Sequence, residues 1–220
     1  EKIESQYGVH FENYDQAWAW SVANLEDFWQ QVWDHFEIIS HAPHTAVLGK
    51  KTMPGAQWFP GARINFAEHI HRALTEHADV PILINRSQTA GSSEWTGQQL
   101  LDEIAALRTG LIAQGIGEGD RVVGYLPNIP QAIVAFYACA SIGAIWSSCS
   151  PDFGERGILD RFGQIAPKVL FTADGYRYGG KDFDRRPVVA EIAAALPTLE
   201  RVVKVQVGTF LALLLLYKRE

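Results

Sequence analysis

The sequence predicts an α/β fold, a parallel βαβ sheet preceded by a helical, Trp-rich extension. Three observations carry that prediction. From Asp120 onward the strand-like runs DRVVGYLP, AIWSSCS and KVLFTAD alternate with the helix-patterned segments IPQAIVAFYACASIG and FGERGILDRFGQIA. Strands separated by helices of that length return by right-handed crossovers and run parallel. Upstream, Trp18, Trp20, Trp29, Trp33 and Trp58 fall among helical patterns and Gly/Pro-rich loops rather than strands. Finally, 220 residues with 47% hydrophobic and 20% charged composition suffice for one full-sized globular domain.

The elements follow in order. EKIESQYGVHFENYD has no apolar core, so it does not read as a targeting segment. NYDQAWAWSV reads as a short helix or turn. From Asn24 to Phe36, Leu25, Phe28, Trp29, Val32, Trp33 and Phe36 share one helical face, with Asn24 at the N-cap. GKKTMPGAQWFPGARIN should be irregular, and helical spacing returns at Ile64. PILIN and SEWT read as a hairpin across RSQTAGS. Thr96 and Gln99 form a capping box opening a helix that Gly115 ends. VVAEIAAALPTLE and RVVKVQV continue the α/β alternation. The chain thus divides into a helical extension over 1–75, an α/β part over 76–207 and an apolar tail over 208–220. The tail, TFLALLLLYKRE, is too short to span a bilayer, which takes about 20 residues. It reads as a strand or helix without its partners, or as a non-native ending.

Charge and cysteine usage narrow the function. A net charge of −6 opposes sequence-independent binding to nucleic acid or to an anionic membrane, leaving small molecules as the expected partners. Only Cys139 and Cys149 are present, and Cys139 lies in an apolar helical run. That usage fits a cytoplasmic protein without a disulfide framework.

Several motifs compete for a chemical role. The glycines of GIGEGDRVV precede a strand, whereas a dinucleotide fingerprint follows one, so they read as a helix end and a turn. GYRYGGKD places Gly175, Gly180 and Lys181 at phosphate-loop spacing after a strand. Asp182, however, stands where the magnesium-binding hydroxyl belongs, and Pro187 opposes an immediate helix. Arg177 and Lys181 around two glycines suit a phosphate at a surface loop, and equally a solvated polar turn. A nucleotide hydrolase built on Lys181 is the weakest of the readings. His41 with His44, and His69 with His71, lack the helical spacing of metal pairs. SSCSPDFG has neither the elbow of a serine nucleophile nor the partners of a kinase metal loop. It reads as punctuation at a strand's carboxyl end, with Ser150 or Asp152 capping the next helix. That end of an open α/β sheet is also where ligands bind.

The segment from GDRVVGYLPNIP through WSSCSPDFGERGILDRFGQIAPKVLF resembles the acetoacetyl-CoA synthetases, members of the adenylate-forming acyl-CoA synthetases. The resemblance extends back through WFPGARINFAEHI and NYDQAWAWSVANLEDFWQQVWDHFEI and forward through DGYRYGGKDFD. It implies the N-terminal part of the large domain of these enzymes, and the ligation of acetoacetate to CoA through an acyl-adenylate, with ATP and Mg2+. It implies no catalytic residue within these 220. The Ser/Thr/Gly-rich ATP loop ending in Pro-Lys and the lysine-bearing lid of the family are not in this sequence, so the chain by itself is expected to be inactive. Its partners are then acetoacetate, ATP, CoA and the missing C-terminal portion. By the same resemblance Arg177, Gly179, Gly180 and Lys181 are candidate CoA-phosphate contacts, Lys181 replacing a forked arginine with a point charge. The alternative is a CoA-binding or docking module without catalysis.

Overall fold

The computed structural model describes residues 2–87, 91–205 and 216–218. It divides into two compact units, Glu1–Asn65 and Phe66–Glu220.

The first unit holds α1 (Lys2–Tyr7), α2 (Tyr14–Ala23) and α3 (Leu25–His35). Asn13 caps α2 by accepting from the Gln16 amide. Asn24, expected to cap α3, makes no side-chain cap bond there. Its amide group instead donates back to the Trp20 carbonyl at 3.0 Å, finishing α2. The aromatic face of α3 is only partly covered: Trp33 packs 4.4 Å from Phe59 and Trp29 lies 5.6 Å from Trp58, while Phe36 is 59% exposed. Those contacts hold the Gly/Pro-rich loop, which is irregular as its composition predicts. His44 is absorbed in the same cluster, 5.1 Å from the Trp33 ring and with its Nε2 3.3 Å from the side-chain Oε1 of Gln30.

The second unit begins with α4 (Phe66–Glu76), whose Leu74 packs with Leu100 and Val134. A hairpin of β1 (Pro81–Ser87) and β2 (Gly91–Thr96) leads into α5 (Gly97–Ala113). The capping box is present: the Thr96 hydroxyl accepts from the Gln99 amide, and the Gln99 side chain accepts from the Thr96 amide.

The α/β alternation then runs β3 (Arg121–Tyr125), α6 (Pro130–Ile142), β4 (Ile145–Cys149), α7 (Glu155–Phe162) and β5 (Val169–Ala173). After β5 come a small hairpin of β6 (Gly175–Tyr178) and β7 (Lys181–Asp184), then α8 (Arg186–Ala195) and β8 (Arg201–Val205). Strand β9 (Leu216–Lys218) closes the edge. The sheet order is β4-β3-β5-β8-β9, the first four parallel and β9 antiparallel to β8. Most of the apolar tail, residues 208–215 and 219–220, lies outside the described residues, as do residues 206–207. No helix among the described residues is long and apolar enough to cross a membrane.

Strand periodicity splits the core into two layers. Val122, Val169, Phe171 and Val203 face Leu111 of α5 and Ala135, Ala138 and Cys139 of α6. Val123, Tyr125 and Leu170 face Ile158 and Phe162 of α7 and Val189 and Ile192 of α8. Cys139 is core, as its apolar helix predicts, and burial pushes its thiol up to about 12. Gly124, mid-β3, leaves a slot for the Trp146 ring: a Cβ there would stand 2.6 Å from it. Trp146 fills the slot and meets Phe171 at 5.9 Å.

The amino ends of β3 and β5 are tied by ions. Lys168 lies 2.7 Å from the Asp120 carboxylate, which also accepts from the Gly117 amide at 3.0 Å. The lysine first, and the amide second, hold the Asp120 pKa below its ordinary 3.8. The stability this supplies is present above the unfolded carboxylate's pKa and is lost as pH falls through the lowered one. Asp120→Asn should therefore cost stability at pH 7, and that cost should shrink below about pH 4. Urea midpoints of both proteins at the two pH values check it, and a pH-independent difference would contradict it.

Candidate functional site

The sheet topology contains one reversal of crossover direction. The chain leaves β3 for α6 on one face and leaves β5 for α8 on the other, so the crossover direction reverses between the two central strands. In an open α/β sheet the crevice outside the strands' carboxyl ends at that reversal is the ligand site. Here it is bordered by Tyr125 ending β3, Cys149 ending β4 and Asp174 following β5.

Tyr125 is 1% exposed, and its hydroxyl donates to the Pro151 carbonyl at 2.7 Å, with the Phe153 carbonyl 3.3 Å away. Burial raises its pKa, so the hydroxyl stays protonated and donating. That bond holds the SPDFG turn against the sheet. The turn also carries Phe153 under the Arg161 guanidinium at 4.4 Å. The N-cap of α7 is Gly154 with no side-chain cap bond, so neither Ser150 nor Asp152 caps it. The stretch is punctuation, but tyrosine-latched rather than serine- or aspartate-capped. Cys149 is buried there, and burial raises its thiol pKa as well, which makes it a poor nucleophile.

The four residues singled out in GYRYGGKD sit on the β6–β7 hairpin, which projects from the carboxyl end of β5. Gly179 and Gly180 form its two-residue turn with φ of 57° and 77°. Both central positions at positive φ make the type I′ hairpin turn, which favours glycine. At the base, the Arg185 amide donates to the Asp174 carbonyl at 2.9 Å, returning the chain to the sheet. No helix opens at Lys181, where β7 begins; α8 opens at Arg186 with Pro187 in its first turn, where a missing amide is tolerated.

The hairpin register pairs Tyr176 with Phe183, Arg177 with Asp182 and Tyr178 with Lys181. With a side-chain period of two, Tyr176, Tyr178, Lys181 and Phe183 share one face, and Arg177, Asp182 and Asp184 share the other. The structure therefore brings the four candidate residues to one turn but sends Arg177 and Lys181 to opposite sides. On its side Arg177 lies 3.6 Å from the Asp182 carboxylate and donates to the Gly180 carbonyl at 3.4 Å. Arg186 forks onto Asp184, closest at 2.7 Å, and holds that carboxyl down at a pKa of about 2. On the other side Tyr176 and Phe183 stack 5.0 Å apart and Arg185 lies over the Tyr176 ring at 5.0 Å, donating to its hydroxyl at 2.8 Å. The Arg185 Nε is buried without a hydrogen-bond partner.

Sequence reasoning missed Tyr125, Arg185 and Tyr178. The alternation across the Gly-Gly turn was readable from the sequence and separates Arg177 from Lys181. Tyr125 and Arg185 depend on which strands become neighbours, which no local pattern states. Among the described residues no group of three or more His, Cys, Asp or Glu is placed to hold a metal ion.

Comparison with known proteins places this geometry in a family. The profile of the AMP-binding enzymes matches residues 70–219, and that of the acetyl-coenzyme A synthetase N-terminus matches residues 14–70. The acetoacetyl-coenzyme A synthetase of Rhizobium meliloti is 44% identical over 191 residues, 87% of this chain and 29% of that protein. The acetoacetyl-CoA synthetase of Macaca fascicularis is 38% identical over 198 residues, 89% of this chain and 29% of that protein. A solved structure of acetoacetyl-CoA synthetase from Streptomyces lividans superposes with a TM-score of 0.91 at 47% identity, covering 96% of this chain and 33% of that one. The chain thus spans about three tenths of the length of these relatives and matches their N-terminal part. With two thirds of its length under one family profile and an α/β sheet that superposes on a solved relative, the chain belongs to the AMP-binding enzymes, among the acetoacetyl-CoA synthetase homologues.

Proposed function

We propose that the chain is the N-terminal portion of a cytoplasmic acetoacetate–CoA ligase and that its contribution is the CoA-facing hairpin. In the full reaction acetoacetate attacks the α-phosphate of ATP, giving acetoacetyl-adenylate and pyrophosphate. The CoA thiol then attacks the acyl carbon and AMP leaves. The observation that carries this reading is the 47% identity at a TM-score of 0.91 to an acetoacetyl-CoA synthetase.

Which steps these residues serve follows from what they offer. The sequence has no Ser/Thr/Gly-rich loop ending in Pro-Lys, and the described residues offer no ligand cluster for Mg2+. Adenylation is therefore assigned to no residue of this chain. CoA fits better: the hairpin offers positive φ glycines at its tip, whose amides are not hidden by side chains, and the cations Arg177 and Lys181 beside them. Calorimetric titration of the 220-residue chain with CoA tests this. Binding that Arg177→Ala/Lys181→Ala weakens about tenfold or more supports it, and absence of binding overturns the CoA role. With ATP and acetoacetate the same chain should release no pyrophosphate, and release would overturn the assignment of adenylation elsewhere.

A second reading, a docking module without catalysis, is favoured by Ile82 and Ile84, which stand 42% and 56% exposed on one face of β1. Its expected partner is the C-terminal portion of such a ligase.

A further inference from the structure

We propose that the outer face of α2 docks a cationic amphipathic helix of a partner protein. Tyr14, Trp18 and Val22 are its apolar anchors, and the carboxylates of the helical unit draw the partner's lysines and arginines.

The face is apolar and bare. Tyr14, Trp18 and Val22 recur every four residues along α2 and so form one ridge, about 12 Å long. They stand 79%, 58% and 52% exposed, and neither ring makes a ring contact among the described residues. The other side of α2 is already engaged, with Trp20 lying 5.2 Å from Tyr7 and 6.0 Å from Phe11. The unit has no core of its own into which the ridge could withdraw. Among its described residues only Gln31 is buried, and every buried apolar side chain belongs to the second unit.

Charge states what the face accepts. Between Ile3 and Gly49 the sequence holds seven Asp and Glu and no Lys or Arg, so the chain's whole negative excess, −6 overall, resides in this stretch. Helix dipoles account for part of the pattern, because Asp15, Glu26 and Asp27 lie in first turns. The same dipoles favour cations in last turns, yet α1 and α2 carry no basic residue there and α3 only His35. Asp15 is exposed and stands three residues from Trp18, its neighbour on the helix surface. A phosphate-rich surface, membrane or nucleic acid, is repelled here. A second copy docking through the same face would set like charge against like. The first unit has no strand beyond the single Leu48–Trp58 bridge among its described residues, so an extended segment finds no edge to pair with. A helix with apolar residues every three or four positions and lysines beside them matches both the ridge and its sign. Its cations also gain from lying on the Trp18 ring.

The test titrates the complete chain calorimetrically with a synthetic helical peptide of about 14 residues, four turns, built of Leu on one face and Lys on the other. The same peptide with Glu for Lys is the charge control. Trp and Tyr are the residues that most often dominate an interface, so Tyr14→Ser/Trp18→Ser should bind the Lys peptide about tenfold more weakly. Asp15→Asn/Glu26→Gln should weaken it about threefold or more, and raising NaCl from about 50 mM to about 500 mM should weaken the parent's binding. Ile112→Ser, which removes an exposed apolar side chain of α5, should bind within about twofold of the parent. Thermal unfolding checks that each variant is folded. Equal binding of the Glu peptide, binding unchanged by Tyr14→Ser/Trp18→Ser, or no binding of the Lys peptide overturns the proposal. Sedimentation showing that the chain alone dimerises, and that Trp18→Ser abolishes the dimer, replaces the partner by a second copy. Binding that the full-length Rhizobium meliloti synthetase lacks overturns the separate partner and gives the face to the remainder of the ligase.

Discussion

Replacing Gly97 by alanine is expected to destabilise the second unit by about 3 kcal/mol, the upper end of the cost of forcing an extra carbon into a filled space. Gly97 is the first residue of α5, and a Cβ on it would stand 2.5 Å from the Leu74 carbonyl oxygen and 2.6 Å from that of His77. Both obstacles are backbone, at the end of α4, so no rotamer change relieves them. The contact is also stapled: the Gly97 amide donates to Val80 at 3.1 Å and the Gln98 amide to Ala78 at 2.8 Å. Relief must separate α4 from α5 and pull Leu74 off Leu100 and Val134. Gly110, near the other end of the same helix, supplies the contrast, since an added Cβ there meets nothing within 4 Å. Gly110→Ala should stabilise by about 0.5–1 kcal/mol through helix propensity. Urea denaturation of both variants measures the difference, and equal midpoints would show that α4 yields without cost.

The architecture was legible because it rests on period and punctuation. The alternation from Arg121 to Val205 announces a parallel sheet, and the Thr96–Gln99 capping box appears where the sequence puts it. What was not legible was the sharing of polar groups between neighbouring elements. Asn24 sits between two helices and satisfies the end of α2 rather than the start of α3. Ser150 and Asp152 are suitable caps by type, yet α7 begins at Gly154 without one, because the preceding turn is held by Tyr125 from another strand. Gly124 reads as a weak point in a strand until its neighbour is known to be Trp146.

The candidate site divides in the same way. Sequence reasoning brought Arg177, Gly179, Gly180 and Lys181 to one turn after a strand, and the hairpin holds them there. It treated the two cations as one cluster because linear proximity looks like spatial proximity. In a strand, neighbours alternate sides, and a two-residue turn preserves that alternation. Arg185 escaped notice because its role depends on the Tyr176–Phe183 stack, which exists only once the hairpin closes.

Arg121→Ala is expected to cost about 3 kcal/mol, since hydrogen bonds from a charged donor contribute about 1.5–3 kcal/mol each and this guanidinium is only partly buried. At the start of β3 its Nε donates to the Ile165 carbonyl at 2.8 Å and its Nη2 to the Ala166 carbonyl at 2.9 Å. Nη1 reaches the Gly119 carbonyl at 3.2 Å. Ala166 has φ of 50°, a left-handed conformation unfavourable to a residue with a Cβ, so the arginine holds a strained turn in place. That turn sets where the chain enters β5, and the Lys168 amide, which donates to the Arg121 carbonyl at 2.9 Å, begins the β3–β5 pairing beside it. Because the β6–β7 hairpin leaves the far end of β5, loosening this entry should also loosen the hairpin's anchor. Arg121→Lys has one charged centre for two diverging carbonyls and should recover less than half of the loss. A urea series on the parent and both variants decides the matter. If alanine and lysine cost the same small amount, below about 1 kcal/mol, water replaces the guanidinium and the turn needs no clamp.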